Sequence, residues 1–186
     1  MPNSKSAKKF NIVLIGYRAV GKTTVGELVA HRLGRPMIDL DAIVEEEAGE
    51  SIPNLVNRAG WPEFRRREKA VVQRYASQEG VVLATGGGVV LDRENVTRLK
   101  ATGKLIWLKA SPATIKARLS RDLQQTVARP GLTAKGTLDE IDEVLATREP
   151  LYYEAATVSL SVDRASAAAV AQQIVDLVRT WEQENQ

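Results

Sequence analysis

Gly16-Tyr17-Arg18-Ala19-Val20-Gly21-Lys22-Thr23 stands between an apolar run at 10–15 and a helical pattern at 24–33. Few segments limit a fold so sharply. The spacing G-x-x-x-x-G-K-[ST], with a strand before it and a helix after it, is that of a phosphate-cradling loop. Glycines let the backbone wrap closely round an oxyanion, while successive N–H groups and the helix N-terminus direct positive charge at it. Lys22 is placed to reach β- and γ-phosphates, and the Thr23 hydroxyl to fill one Mg2+ position. The phosphate-facing set is Arg18, Ala19, Val20, Gly21, Lys22, Thr23 and Thr24. An ordinary glycine turn is the plainer alternative, but the flanking strand and helix favour a nucleoside triphosphate.

The rest of the chain favours one domain. It has 186 residues, enough for a sizeable core, and an ordinary proportion of apolar and charged side chains. Its longest apolar runs, at 12–15 and 81–84, are far too short to span a bilayer. No apolar signal-peptide core opens the chain, so a cytoplasmic location is expected, without membrane association. The absence of cysteine excludes disulfides, thiolate catalysis and cysteine–zinc sites. The 26 basic residues exceed the 23 acidic ones by three, and Lys5, Lys8 and Lys9 lie together in an N-terminal stretch without acids. Residues 1–9 therefore read as a flexible basic tail, the remainder is near neutral, and no nucleic-acid partner is implied. His31, beside Arg32 on an expected helix, is given no role.

Short apolar runs alternate with helical patterns. Strands are expected at 10–15, 36–40, 80–85, 104–109 and 157–162. Helices are expected near 22–33, 41–49, 52–59, 62–78, 92–101, 112–120, 137–154 and 165–182. Val170, Ile174, Leu177, Val178 and Trp181 form one apolar stripe on the last of these, which reads as core. Such alternation implies a parallel sheet covered on both faces, with ligands outside the carboxyl ends of its strands. Segment 121–136 breaks the pattern. It is polar, contains Pro130 and two glycines, and reads either as a functional lid or as a disordered insertion.

The notable polar residues follow strand ends. Asp39 and Asp41 close the second strand, where residues two apart point to the same side; in a helix they would diverge by about 200°. Paired carboxylates beside a triphosphate suit two tasks, holding a Mg2+-bound water and orienting or deprotonating an acceptor hydroxyl. A helix cap with a first-turn acid is the alternative. Gly86-Gly87-Gly88 follows the strand at 81–85, and three successive glycines exceed what a turn needs. They suggest close backbone approach to a ligand. In Phe64-Arg65-Arg66-Arg67-Glu68, Arg65 and Glu68 are i,i+3 neighbours, so the acid can orient that arginine while Arg66 and Arg67 stay in solvent. Arg148 has Val144, Leu145, Leu151 and Tyr152 at its helical neighbour positions and no acid among them, which suits a ligand carboxylate or phosphate. Arg129 lies in the candidate lid, positioned to cover a phosphoryl group. Taken singly, each arginine reads as a solvated surface charge before a ligand contact; the acids and glycines give the set its meaning.

Taken in order, these motifs resemble the shikimate kinase family, small P-loop enzymes of the nucleoside-monophosphate-kinase type. The resemblance runs from residue 10 to about 174. It rests on the 16–23 loop, Asp39-Leu40-Asp41, Gly60-Trp61-Pro62-Glu63-Phe64-Arg65-Arg66-Arg67-Glu68, Thr85-Gly86-Gly87-Gly88, Arg129-Pro130 and Arg148-Glu149-Pro150-Leu151-Tyr152. It implies an α/β fold, a three-layer α/β/α sandwich whose five-stranded parallel sheet has the order 2-3-1-4-5, with a mobile lid. Residues 10–182 would form a single kinase domain, with the lid at about 121–136 and substrate-binding helices at about 41–78. The implied reaction moves the γ-phosphoryl of ATP to the 3-hydroxyl of shikimate, in aromatic amino-acid biosynthesis. By position, Lys22 and the loop backbone hold phosphates, Thr23 binds Mg2+, and Asp39 reaches the metal through water. Asp41 receives the hydroxyl; Arg65, Arg148 and the backbone of Gly86, Gly87 and Gly88 hold shikimate. Arg129 closes over the transferring group, Arg118 stacks on adenine, and the 162–165 loop borders the base. The catalytic set is thus Lys22, Asp41 and Arg129, acting in a monomer. Two departures are visible: Ala19 stands where the family usually has a third loop glycine, and Gly131 where a leucine usually follows Arg-Pro.

Two other readings compete. A kinase of the same superfamily acting on gluconate would share the phosphate loop without needing Arg65 and Arg148 in these places. A nucleotide-binding regulatory domain would have lost an acid, the loop lysine or the lid arginine, and all are present. An Asn-Lys-x-Asp guanine-reading motif is absent from the chain.

Overall fold

The computed structural model describes residues 9–123 and 138–184. Its centre is β1 (Asn11–Ile15), every residue of which is buried. Around it lie β2 (Met37–Asp39), β3 (Val82–Ala84), β4 (Gly103–Lys109) and β5 (Val158–Ser161). The sheet order is β2-β3-β1-β4-β5, and every neighbouring pair runs parallel. This is the topology expected. The register pairs Ile12 with Val82 on one side and with Lys104 on the other.

Alternation along β1 explains the two layers of helix. Ile12 and Leu14 pack into one core with Val29 of α1 (Lys22–Leu33), Ile115 of α5 (Pro112–Leu123) and Ile174 of α7 (Ala167–Glu184). Val13 and Ile15 pack into the other, with Val44 of α2 (Leu40–Ala48), Val71 of α3 (Ile52–Tyr75) and Leu99 of α4 (Arg93–Thr102). A central strand apolar on both faces cannot be left open on either, so each layer is obligatory. Each fully buried Leu, Ile or Val contributes about 1.5–3 kcal/mol. α6 (Ile141–Ala155) serves both cores, with Ile141 in the first and Tyr152 in the second. Among the described residues no helix is long and apolar enough to cross a membrane.

Several boundaries differ from expectation. The helices expected at 52–59 and 62–78 are one element, α3, kinked where Gly60 leaves helical geometry at φ 81, ψ 167, two residues before Pro62. The second strand ends at Asp39 rather than at the expected 40, and Asp41 falls in α2, because Leu40 opens that helix. α5 continues to Leu123, past the expected 120, and the last helix starts at Ala167 rather than 165. The remainder of the expected lid, including Arg129 and Gly131, lies outside the described residues, as does the basic tail apart from Lys9.

Candidate active site

Five segments meet around the pocket beside the phosphate loop. The 16–23 loop leaves β1 and enters α1 through Gly21, which adopts the left-handed region at φ 96. Side chains cap the N-termini of α2, α3 and α4, from Asp39, Ser51 and Asp92, whereas α1 has no side-chain cap. Its positive end is left for an anion. Lys22 is buried and its Nζ donates to the carbonyls of Gly16 and Tyr17, each at 2.8 Å, which folds the ammonium over the loop. Ala19 has φ 63, a conformation glycine adopts freely and alanine does not. The family's usual glycine is therefore replaced at the one non-glycine position of positive φ among the described residues.

Asp39 and Asp41 part company. The Asp39 carboxylate accepts from the backbone N–H groups of Asp41 and Ala42 through Oδ1, at 3.0 and 3.2 Å, and from the Thr23 hydroxyl through Oδ2, at 2.6 Å. It is a helix cap and a partner of the phosphate loop at once, so the cap alternative holds for Asp39. Asp41, in the first turn of α2, instead lines a separate pocket. The same-side alternation expected of an extended strand does not apply, since the chain turns helical between them. Thr23 and Asp39 supply oxygens alone, and no group of three His, Cys, Asp or Glu that could hold a metal occurs among the described residues. That donor set fits Mg2+, which keeps most of its shell as water and phosphate oxygen.

The pocket that Asp41 lines has Arg18 on the loop side, Trp61, Phe64 and Arg65 from α3, and Arg148 from α6, with the triple glycine as its floor. Arg65 lies over the rings of Phe64 and Trp61, at 4.9 and 5.6 Å, and its Nη1 donates to Glu68 Oε2 at 2.5 Å. Glu68 is 3 % exposed, and its second oxygen accepts no hydrogen bond among the described residues. Burial raises its carboxyl above the ordinary range; Arg65 opposes the shift and Asp41 adds to it. Arg66 and Arg67, by contrast, share Glu63.

The glycines leave room for side chains that crowd this backbone. A Cβ on Gly86 would lie 2.6 Å from Glu68 Oε1 and 2.7 Å from Asp41 Oδ1, and one on Gly88 would lie 2.1 Å from Arg65 Nη2. Side chains of the pocket, as well as any ligand, press on this backbone. The Gly87 carbonyl accepts from Arg148 Nη1 at 3.2 Å and from the Tyr152 hydroxyl, which fixes the turn against α6. Arg148 is 7 % exposed and stands over the Tyr17 ring at 5.9 Å. Tyr152 stacks on Trp107 with ring centres 5.7 Å apart. From the sequence Tyr152 and Phe64 carry no role beyond their place in the motifs of Arg148 and Arg65; the helical spacing of Tyr152 from Arg148 is the available signal for the first.

A second cleft, of about 400 Å3, opens on the other side of the loop. Ala19, Val20, Gly21 and Thr24 form one wall, and Arg118, Val162 and Ala165 another. Arg118 donates to the carbonyls of Ala19, Val20 and Val162, at 3.2, 3.0 and 3.1 Å. It ties the phosphate loop to the 162–165 segment, so the two weaker base-contacting expectations come together around one cavity.

A phosphate cradle that shares a wall with a cation-rich pocket is the layout of a P-loop kinase acting on a small molecule. Comparison with known proteins narrows that class. The family model for shikimate kinase matches residues 18–179. A shikimate kinase of Symbiobacterium thermophilum is 42 % identical over 166 residues, 89 % of this chain and 94 % of the relative. The crystal structure of the Acinetobacter baumannii shikimate kinase in complex with shikimate superposes with a TM-score of 0.83 at 31 % identity, covering 92 % of this chain and 94 % of that one. The chain belongs to the shikimate kinase family. A Sinorhizobium meliloti gluconokinase, at 22 % identity and TM-score 0.63 over 95 % of this chain and 97 % of its own, shares the fold alone.

Proposed function

We propose that this chain transfers the γ-phosphoryl group of ATP to the 3-hydroxyl of shikimate, giving shikimate 3-phosphate and ADP. The observation that carries the reading is the position of Arg148. Its guanidinium is nearly buried, bonded to the neutral Gly87 carbonyl, and faces the pocket that Asp41 also lines. A cation so placed suits a ligand carboxylate, and a carboxylate across the pocket suits a ligand hydroxyl. Shikimate carries both groups on one rigid ring; gluconate, the acceptor in the rival reading, is a flexible chain that gives these fixed positions no advantage.

Phosphoryl transfer asks a protein for positioning and charge rather than covalent chemistry. In this reading the 16–23 backbone and Lys22 hold the phosphates, while Arg118 and the 162–165 loop border the adenine. Thr23 and, through water, Asp39 hold Mg2+, which neutralises charge on the phosphate oxygens when bound. Asp41 orients the hydroxyl and takes its proton. Arg65 and Arg148 hold the carboxylate, with Glu68 keeping Arg65 in place. Arg129, carried over from the family pattern, covers the transferring group. The reading includes a monomer, a single domain closed by a lid, and work in the cytoplasm. Coupled ADP-release assays with shikimate and with gluconate test it: turnover of shikimate alone is expected, and turnover of gluconate alone would reject it.

A further inference from the structure

Arg18 occupies a position that a phosphate-loop residue does not require. It is the third residue of the 16–23 loop, yet it lines the pocket of Asp41, Arg65 and Arg148 and not the nucleotide cleft. Its backbone packs closely on the triple glycine, 3.1 Å from where a Cβ of Gly87 would stand, and its side chain is anchored by an acid. Its Nη2 donates to Glu140 Oε1 at 2.5 Å. Glu140 has no exposed surface, Arg18 keeps 14 % of its side chain accessible, and the carboxylate sits at the N-cap position of α6, the helix that carries Arg148. A buried carboxylate fixes a guanidinium more firmly than a solvated one would, since the alternative is an uncompensated charge.

We propose that Arg18 is a third acceptor-binding cation, anchored by Glu140, which contacts the acceptor on the side that faces the phosphate loop. This inference rests on the proposed function and adds to it. Arg148 and Arg65 stand on the helical walls, and Asp41 at the start of α2. Arg18 is the pocket cation that belongs to the loop itself, so it lies between the acceptor and the phosphates. Its donors reach acceptor oxygens next to the reacting hydroxyl, and its charge stands close to the group in transfer. Glu140 is a positioning residue. It acts through Arg18 and links the loop to the first turn of α6.

Calorimetric titration of shikimate in the presence of ADP and Mg2+ tests this on the wild type, Arg18→Met, Glu140→Gln and the double variant. The double variant removes both charges of the pair and guards against misfolding caused by a stranded Glu140. Arg18→Met should weaken shikimate binding about tenfold or more, with ADP affinity within about twofold of wild type. Glu140→Gln should weaken shikimate binding less, and the double variant should be no weaker than Arg18→Met, as expected of residues acting in series. Unchanged shikimate affinity in Arg18→Met or in the double variant overturns the proposal. So does a loss of ADP affinity equal to the loss for shikimate, which would return Arg18 to the nucleotide. Wild type that binds shikimate without phosphorylating it would contradict the proposed function alone; wild type that binds none would overturn both.

Discussion

The Thr23 hydroxyl donates to the Asp39 carboxylate across 2.6 Å, joining the first turn of α1 to the N-terminus of α2. With its hydrogen committed to Asp39, the Thr23 oxygen has its lone pairs left for a cation. Asp39→Asn keeps a good helix cap but loses the charge. The Mg2+ concentration for half-maximal activity should rise about 10–100-fold, with thermal stability nearly unchanged. Titration of activity with Mg2+ at saturating ATP checks this; an unshifted midpoint removes Asp39 from the metal site.

Arg148 offers a sharper separation of binding from folding. Arg148→Lys retains a cation but loses the planar fork, and Lys is not equivalent to Arg at a two-pronged contact. The KM for shikimate should rise by about tenfold or more, while the KM for ATP changes little. Steady-state kinetics in both substrates decide it. A matched rise in both constants would make the residue structural.

Glu68 should leave a signature in stability against pH. Its carboxyl is raised above the usual value of 4.5 by burial, so the folded chain keeps a proton that the unfolded chain has released. The stability this group contributes is complete below 4.5 and is lost as pH rises through the raised folded value. Glutamine lacks the titration. The stability of wild type relative to Glu68→Gln should therefore decline as pH rises from 4.5 toward neutrality, measured by urea unfolding at each pH. Parallel profiles would contradict the buried, proton-retaining carboxyl.

Ala19 carries a cost that a single substitution should reverse. An L-residue in the left-handed region is disfavoured by about 1–2 kcal/mol, against which glycine's extra unfolded-state entropy weighs less. Ala19→Gly should gain about 1 kcal/mol, raising Tm by about 2–4 °C in a chain of this length. Differential scanning calorimetry reads it directly; a lowered Tm would refute the strain.

Much of this was legible in the sequence because local rules carried it. The apolar runs, the Gly-Lys-Thr turn and the spacing of Arg65 from Glu68 each follow from near neighbours, and all three appear where expected. Asp39 was ambiguous because a cap and a metal ligand use the same carboxylate at the same strand end; the structure shows the cap and a bond to Thr23. The pairing of Arg18 with Glu140 spans 122 residues, and the bond from Tyr152 to Gly87 spans 65. No periodicity encodes such contacts; they exist only once β1, β3 and α6 are packed together. The positive φ of Ala19 was equally invisible, since the residue type argues against it.

The account's central claim is that the phosphoryl group passes from the 16–23 cradle to one hydroxyl in the Arg148–Asp41 pocket. Phosphorus NMR of the product formed from ATP, Mg2+ and shikimate tests it most directly. A phosphomonoester signal coupled to the ring proton at carbon 3, in step with ADP, is predicted. Inorganic phosphate as the sole product, or a phosphoester on another hydroxyl, would contradict it.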